Sequence, residues 1–180
     1  MTQIFLPRWD PAAPGGGRAP ADRPYRLRFT PYDTAGGKEQ YLACYRDAWR
    51  IAHGIMAGFD PEACWRGALI RAAENPDALT AAWLGDTFAG VLALDTHRSA
   101  WRGRGWIAFC YIVPELRGSG YGRDLVRRAE EQFRALGRKA LRLTVAPRNP
   151  AVHFYKRLGY QAVGTERGAL EDLIVMEKEL

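Results

Sequence analysis

The sequence predicts an α/β fold, a mixed sheet of about six to seven strands with helices on both faces. Three observations predict this class. Helical patterns alternate with short apolar runs in the second half of the chain, as in sheets that are covered by helices. Two apolar runs are separated only by Gly85 and Asp86, a spacing typical of an antiparallel hairpin. The length of 180 residues suits one domain, and 47% hydrophobic residues can fill its core.

The first 24 residues differ in composition from the rest of the chain. They hold five of the eleven prolines and a run of glycines from Gly15 to Gly17, which favours an irregular or mobile N-terminal arm. Residues 25–180 are then expected to form a single domain. Its first strand is predicted at Tyr25–Thr30, where apolar and polar residues alternate, and Pro31 ends it.

Two helices are predicted after this strand. Apolar residues recur at three- and four-residue steps over Lys38–Ala52, which predicts an amphipathic helix. Asp60 and Pro61 form the next helix start, a capping residue followed by proline, and this helix should end at about Glu74. The aromatic-bearing linker between them, His53–Phe59, is interpreted either as part of a pocket or as a packed connection.

The rest of the chain alternates strands with helices. The helix at Tyr121–Leu136 has the clearest pattern, because an apolar stripe lies opposite a charged side and Gly137 follows as a stop. Asn149 and Pro150 begin a shorter helix at Ala151–Leu158. The predicted strands are Leu79–Leu84, Thr87–Leu94, Ile107–Val113, Leu141–Val145, Tyr160–Gly164 and Glu171–Glu177.

The stretch Ile107–Gly122 predicts an anion-binding site. It combines a strand, a glycine loop and the first turn of a helix, so that unpaired N–H groups point at a ligand. A Walker loop does not fit, because no Lys-Ser or Lys-Thr pair follows the glycines. A dinucleotide fingerprint does not fit either, because the glycine spacing is GxGxG. The pattern that fits is Arg-x-x-Gly-x-Gly, formed by Arg117-Gly118-Ser119-Gly120-Tyr121-Gly122.

This loop, together with Asn149, Tyr155 and Leu158-Gly159-Tyr160 further along, resembles the motifs of the GNAT family of N-acetyltransferases. The resemblance covers residues 78–178. It implies a centrally splayed sheet, in which the strand before the loop separates from Leu141–Val145. It also implies that acetyl-coenzyme A is the acetyl donor.

The resemblance implies roles for the loop, the strand before it, Asn149 and Tyr155. The loop amides hold the donor's pyrophosphate at the helix N-terminus, and exposed amides of the preceding strand bind its pantetheine arm. Tyr155 protonates the departing thiolate. The implied donor-binding residues are Ile112, Val113, Arg117, Gly118, Ser119, Gly120, Tyr121, Gly122 and Asn149. Each of these two residues also has a purely structural interpretation. Tyr155 could only pack its helix against the sheet, and Asn149 could only cap that helix.

The motifs do not identify the general base that an amine acceptor needs. Family members carry a glutamate at positions that would lie near Trp106 or Thr144, where this chain has no carboxylate. We therefore predict that Asp95 and His97, at the end of the hairpin, supply the base. The other candidates are Glu115, Glu171, Asp172 and a water ordered by Tyr111. The expected acceptor site is lined by Tyr41, Tyr45, Trp49, His53, Met56, Phe59 and Trp65.

Composition limits the classes of partner and the cellular compartments that are expected for this protein. A net charge of +6 fits an acidic ligand, but the arginines are scattered through the predicted helices, which disfavours nucleic acid as a partner. The three cysteines are odd in number and far apart, as expected for reduced thiols in a cytoplasmic protein. No metal-ligand spacing, secretion signal or membrane-spanning run is predicted.

The predicted function is direct acetyl transfer from acetyl-coenzyme A to a primary amine of a small molecule or protein, without a covalent enzyme intermediate. The alternative is a non-catalytic sensor or interaction module of the same fold that binds acyl-coenzyme A. The sequence leaves open the identity of the acceptor and whether the protein forms a homodimer.

Overall fold

A computed structural model describes residues 26–180, which form a seven-stranded mixed sheet with helices on both faces. The predicted fold class is confirmed. The N-terminal arm predicted for residues 1–24, and Tyr25 of the first predicted strand, lie outside the described residues. The helices are α1 (Lys38–His53), α2 (Pro61–Glu74), α3 (Tyr121–Ala135) and α4 (Ala151–Arg157). The strands are β1 (Arg28–Pro31), β2 (Leu79–Leu84), β3 (Thr87–Asp95), β4 (Arg104–Ile112), β5 (Ala140–Val145), β6 (Gln161–Arg167) and β7 (Asp172–Glu179).

The strands lie in the order β1-β2-β3-β4-β5-β7-β6. All neighbours are antiparallel except β4 and β5, which are parallel. A parallel pair needs a crossover connection, and α3 provides it. The predicted hairpin at Gly85 and Asp86 joins β2 to β3.

Alternation along β3 divides the apolar core between the two faces of the sheet. Leu92 and Leu94 pack in one cluster with Phe133 of α3, which is fully buried. Val91 points the other way and packs in a second cluster with Tyr41 of α1. The period of two in the strand and the stripes on the helices therefore fix which helix covers which face.

The sheet opens between β4 and β5. These strands pair only from Arg104–Ile107 to Ala140–Leu143, and beyond this point β4 pairs with β3 alone and β5 with β7 alone. The register of β3 and β4 shifts so that Ala108 has no partner, and such a bulge bends a strand and increases its twist. The central splay is therefore present, and it leaves an open wedge along the C-terminal half of β4.

Gly105 allows β4 to pack directly against α3. A Cβ atom at this position would lie 2.3–2.6 Å from ring carbons of Phe133, which is fully buried. Gly105→Ala is expected to destabilise the fold by about 2 kcal/mol, because overpacking a core forces side chains or backbone to shift. Urea unfolding measures the loss.

Gly67→Ala in α2 is the matched control for Gly105→Ala. The new methyl group would meet only the end of the Arg71 side chain, and alanine suits a helix better than glycine. This variant should be as stable as the wild type or more so. Equal unfolding midpoints for both variants would contradict the packing argument for Gly105.

The described residues contain neither a candidate membrane span nor a candidate metal cluster. No helix within residues 26–180 is long and apolar enough to cross a membrane. The same residues contain no group of three or more His, Cys, Asp or Glu side chains that could hold a metal ion. Cys44, Cys64 and Cys110 are free thiols.

Candidate active site

The edge of β4 that faces the wedge presents backbone N–H groups to it. The N–H of Val113 donates to the carbonyl of Ala89 at 3.0 Å, so it points towards β3. The N–H groups of successive residues point to opposite sides of an antiparallel strand. Those of Ile112 and Cys110 therefore point to the side where β5 has separated. The amide of Val113, predicted to bind the donor, is thus bonded to β3 instead, and the amides that face the wedge are those of Ile112 and Cys110. Donor binding by Ile112 stays a prediction. The two amides can bind an extended ligand arm as an added strand would.

The loop after β4 forms a backbone cradle at the start of α3. Gly118 and Gly120 have φ angles of 79° and 84°, a left-handed conformation that other residues rarely adopt. Within residues 26–180, the N–H groups of Gly118, Ser119 and Gly120 donate to no backbone carbonyl. Gly120 at the N-cap of α3 makes no side-chain cap hydrogen bond, and the positive end of the helix dipole favours an anion there. This arrangement suits a phosphate group.

A groove of about 530 Å³ begins at this cradle and follows α4. Arg117, Arg123 and Arg157 lie in its wall and give it a positive charge. Gly122 also lines it, where an added Cβ would come 3.3 Å from the Phe154 ring. Tyr121 differs from its neighbours, because its ring is buried in the core and only its backbone is left to face a ligand.

Arg117 braces the cradle from behind. Its Nε donates to the carbonyl of Ile112 at 2.9 Å, and its guanidinium donates to Asp47 of α1 at 2.7 Å. The Tyr111 hydroxyl donates to the same carboxylate oxygen at 2.9 Å. Burial alone would raise the pKa of Asp47, but the hydrogen bonds from Arg117 and Tyr111 outweigh it and hold that pKa below its usual value. Asp47 therefore stays ionised at neutral pH, and the brace is lost only as the pH falls through this lowered pKa.

Asp47→Asn is expected to weaken coenzyme A binding by about 3- to 10-fold, because a neutral amide makes weaker hydrogen bonds to Arg117 than a carboxylate does. The pair is about one-third exposed, so solvent limits the effect. Isothermal titration calorimetry with coenzyme A measures the change. Glu62→Gln in α2 removes an exposed ion pair to Lys38 of α1 and should leave the affinity unchanged. The same weakening in both variants would argue against a specific brace.

Tyr155 stands where the groove meets a second cavity. It is 8% exposed and, with Cys110 and Ala151, lines both spaces. The Cys110 thiol lies in both walls with it, and the two groups influence each other's pKa. Burial, and then the neighbouring Cys110 and Tyr160, raise the pKa of Tyr155 well above its ordinary value. The phenol therefore keeps its proton at neutral pH and has one to donate.

The second cavity has a volume of about 230 Å³ and lies between α1 and the open ends of β4 and β5. Aromatic rings form its α1 side. Tyr45 stacks on Phe109 with centroids 4.5 Å apart, and Trp49 packs against His53 at the same separation. A cavity of this size with aromatic walls suits the end of a small organic group.

The predicted acceptor residues separate into three groups. Tyr45, Trp49 and His53 line the second cavity as expected. Met56 and Phe59, in the linker after α1, are not part of its lining, and Phe59 packs behind Trp49 with ring centroids 5.9 Å apart. Tyr41 and Trp65 are instead buried in the core between α1, α2 and the sheet, because their helical spacing places them on the inward face.

The wedge, the glycine cradle and the buried phenol coincide with the region matched by a family model. The model of the acetyltransferase (GNAT) family matches residues 38–160. The chain belongs to the GNAT family. The resemblance noted in the sequence is therefore confirmed, and it extends to α1, ahead of the motifs that carried it.

Solved GNAT structures share the fold. A PaiA N-acetyltransferase from Thermoplasma acidophilum, solved in complex with coenzyme A, superposes with a TM-score of 0.65 at 19% identity, covering 86% of this chain and 99% of that one. The structure of Ard1 from Thermoplasma volcanium superposes with a TM-score of 0.66 at 13% identity, covering 86% of this chain and 97% of that one. At these identities the likeness establishes the fold.

Two curated relatives match over shorter segments. Streptothricin acetyltransferase of Streptomyces lavendulae is 39% identical over 69 residues, which are 38% of this chain and 36% of the relative. An uncharacterized N-acetyltransferase of Methanocaldococcus jannaschii is 36% identical over 61 residues, which are 33% of this chain and 27% of the relative. The matched segment thus spans about a third of the length of these relatives.

Asn149 has a structural partner in this GNAT protein. Its Oδ1 accepts a hydrogen bond from the N–H of Ala151 at 2.9 Å, which is the helix-cap alternative. Asn149 also lines the second cavity, where the amide nitrogen of its side chain is still a donor. The two roles expected from the sequence are therefore compatible, and the donor-binding role stays a prediction.

The structure does not bring Asp95 and His97 to the GNAT wedge. Both line a separate depression against α2, and neither lines the groove or the second cavity. The Asp95 carboxylate accepts from the N–H groups of His97 and Arg98, and His97 contacts Glu74 at 3.0 Å. These contacts give the two residues a structural role, because they hold the loop that follows β3.

Sequence reasoning missed Asp47 and the amide of Cys110. Period-two alternation back from Ile112 along the predicted strand was the available signal for Cys110. Asp47 gave none, because it is one of several charged residues of α1 and lies 70 positions before Arg117.

Proposed function

We propose that this GNAT protein is an N-acetyltransferase that moves the acetyl group of acetyl-coenzyme A directly to a primary amine. The observation that carries the proposal is the place of Tyr155, in the wall shared by the groove and the second cavity. The cradle Gly118–Gly120 would hold the donor's pyrophosphate, and the amides of Cys110 and Ile112 would hold its arm. The thioester then lies at the junction, with the amine entering from the second cavity.

The residues at the junction account for the chemistry of transfer. The amine nitrogen forms a bond to the thioester carbonyl carbon, and the carbon–sulfur bond breaks. Amides of β4 stabilise the negative charge on the carbonyl oxygen. Tyr155 donates a proton to the departing sulfur and recovers one from the nitrogen, so the products are an amide and a free thiol.

Cys110 supports direct transfer over a covalent intermediate. Burial raises the pKa of its thiol to about 12, although the neighbouring Tyr155 opposes the shift. A protonated thiol is a poor nucleophile. The acetyl group is therefore expected to pass to the amine in one transfer, which predicts sequential and not ping-pong kinetics.

The acceptor is proposed to be a small molecule or protein that inserts a slender aminoalkyl end. The cavity of about 230 Å³ supports this size, and the similarity to streptothricin acetyltransferase supports a small-molecule amine. We also propose a cytoplasmic location, which the three free cysteines support. A homodimer stays a prediction, to be tested by light scattering.

An acetyl-transfer assay tests the function. Thiol release from acetyl-coenzyme A is measured with ethylamine, streptothricin and peptides with free N-termini, and transfer to at least one class is expected. Saturable coenzyme A binding without thiol release for any amine would favour the alternative, a non-catalytic acyl-coenzyme A sensor or interaction module. Absence of coenzyme A binding would contradict both.

A further inference from the structure

A histidine–carboxylate pair lies at the far side of the second cavity. His53 is the last residue of α1, and its Nδ1 lies 3.1 Å from Oε1 of Glu171, in the turn between β6 and β7. The imidazole is only 10% exposed, whereas the carboxylate is 36% exposed. Trp49, one helical turn earlier, packs against the ring and fixes its plane.

Contacts on both sides hold the pair in place. The turn of Glu171 is closed by a hydrogen bond from the N–H of Gly168 to the carbonyl of Glu171 at 3.0 Å. Leu170 in this turn packs close to Gly58 in the linker after α1. The carboxylate and the imidazole are therefore presented by two segments that contact each other, although 118 positions separate them in the sequence.

The contact with Glu171 settles which ring nitrogen is free. A carboxylate accepts hydrogen bonds, so the neutral imidazole carries its proton on Nδ1 and a lone pair on Nε2. Within residues 26–180, Nε2 makes no hydrogen bond. His53 lines the cavity, so this nitrogen is the one left to meet a ligand there.

The other titratable groups that line the cavity are poor proton acceptors. They are Tyr45, Cys110 and Tyr155. Burial raises the pKa of Tyr45 and of Cys110 to about 12, and raises that of Tyr155 well above its ordinary value. Each keeps its proton at neutral pH. Thr144 and Asn149 have no lone pair of comparable basicity.

We propose that His53 is the general base for the amine acceptor and that Glu171 is the residue that positions it. The inference rests on the proposed function. An alkylammonium group entering the cavity gives one proton to Nε2, which leaves the nitrogen lone pair free to attack the thioester carbonyl. His53 becomes an imidazolium, stabilised by the Glu171 carboxylate, and releases the proton to solvent after transfer. The assignment replaces Asp95 and His97, which lie outside this cavity.

The first test reads the tautomer and needs no acceptor. Long-range ¹H–¹⁵N spectra of the full chain, with the His53 signals assigned by their loss in His53→Gln, should show the proton on Nδ1. Glu171→Gln should reduce that preference, because its amide is a weaker acceptor. Asp172→Asn, which removes a neighbouring exposed carboxylate paired with Arg167, should leave the spectrum unchanged. A proton on Nε2 in the wild type would overturn the assignment.

The second test reads turnover with ethylamine, or with the fastest amine of the panel above. His53→Gln is expected to lower kcat about 100-fold and Glu171→Gln about 10-fold, with the KM for acetyl-coenzyme A unchanged. Free imidazole should restore part of the rate of His53→Ala, since it can occupy the vacated space. His153→Gln, which changes an exposed histidine of α4, is the control and should keep the wild-type rate.

The outcomes separate the two proposals. If His53→Gln turns over at the wild-type rate, or if Asp95→Asn or His97→Gln loses activity instead, the role of His53 is overturned. The N-acetyltransferase function is then left intact. No turnover by the wild type with any amine overturns the function, and the base with it. Turnover lost in His53→Gln, together with partial rescue of His53→Ala by imidazole, supports both.

Discussion

Tyr155→Phe is expected to lower kcat about 100-fold or more while coenzyme A affinity changes by no more than about twofold. The phenylalanine ring fills the same place in the wall between groove and cavity, so packing is retained. The departing sulfur, however, loses its proton donor. Steady-state thiol release gives kcat, and calorimetric titration with coenzyme A gives the affinity. Equal kcat values for the two proteins would remove Tyr155 from the acid role.

The pH dependence of the wild type gives a second readout of the same residue. Because burial raises the pKa of Tyr155, its proton is retained as the pH rises through the ordinary tyrosine value of about 10. The rate should therefore show no alkaline loss from this phenol below that pH. An alkaline loss near neutral pH that disappears in Tyr155→Phe would contradict the shift.

Tyr160→Phe is the matched control for Tyr155→Phe. Tyr160 is buried beside Tyr155, with ring centroids 5.7 Å apart, but its hydroxyl reaches Glu130 and it lines neither the groove nor the second cavity. The same deletion of one oxygen should leave kcat near that of the wild type. A comparable loss in both variants would indicate disturbed packing rather than loss of an acid.

Gly120→Val is expected to abolish coenzyme A binding, with a loss of affinity above about 100-fold. The residue has a φ of 84° and precedes the first turn of α3. A β-branched side chain disfavours this conformation and also fills the space into which the N–H groups point. Gly118→Val, at a φ of 79°, should behave in the same way. Calorimetric titration measures the affinity.

Gly137→Val separates backbone strain from lost ligand contact. Gly137 follows the other end of α3, has a φ of 69° and has no heavy atom near the position of an added Cβ. The substitution imposes similar strain, on the order of 1–2 kcal/mol, far from the groove. It should lower thermal stability and leave the affinity for coenzyme A unchanged. Retained affinity in Gly120→Val would refute the cradle.

Local patterns explain how much of the fold could be predicted. Period-two alternation and helical stripes placed the strands and helices, and the Gly85-Asp86 turn placed the hairpin, because each of these depends on neighbouring residues. The bulge at Ala108 left no such signal. It depends on the register between β3 and β4. Pairing across the sheet decides that register, and the composition of either strand does not.

In the candidate site, too, the features that depend on neighbouring residues could be predicted and those that depend on distant contacts could not. The cradle could be predicted because its positive φ angles require glycine at Gly118 and Gly120, and these glycines form part of the Arg-x-x-Gly-x-Gly pattern. Glu171 and His53 both appeared in the sequence as candidates, one for the base and one for the acceptor site. Nothing in the sequence joined them, because their contact depends on how the last hairpin packs against the end of α1.

In the proposed mechanism, helix α1 contributes to both the donor site and the acceptor site, from different positions. Asp47 grips the arginine behind the donor cradle, while Trp49, Ala52 and His53 line the acceptor cavity. Donor affinity and acceptor preference can thus be altered separately within a single helix of 16 residues. For protein engineering, Ala52 and Trp49 are the positions at which to reshape the proposed acceptor cavity, since both line it.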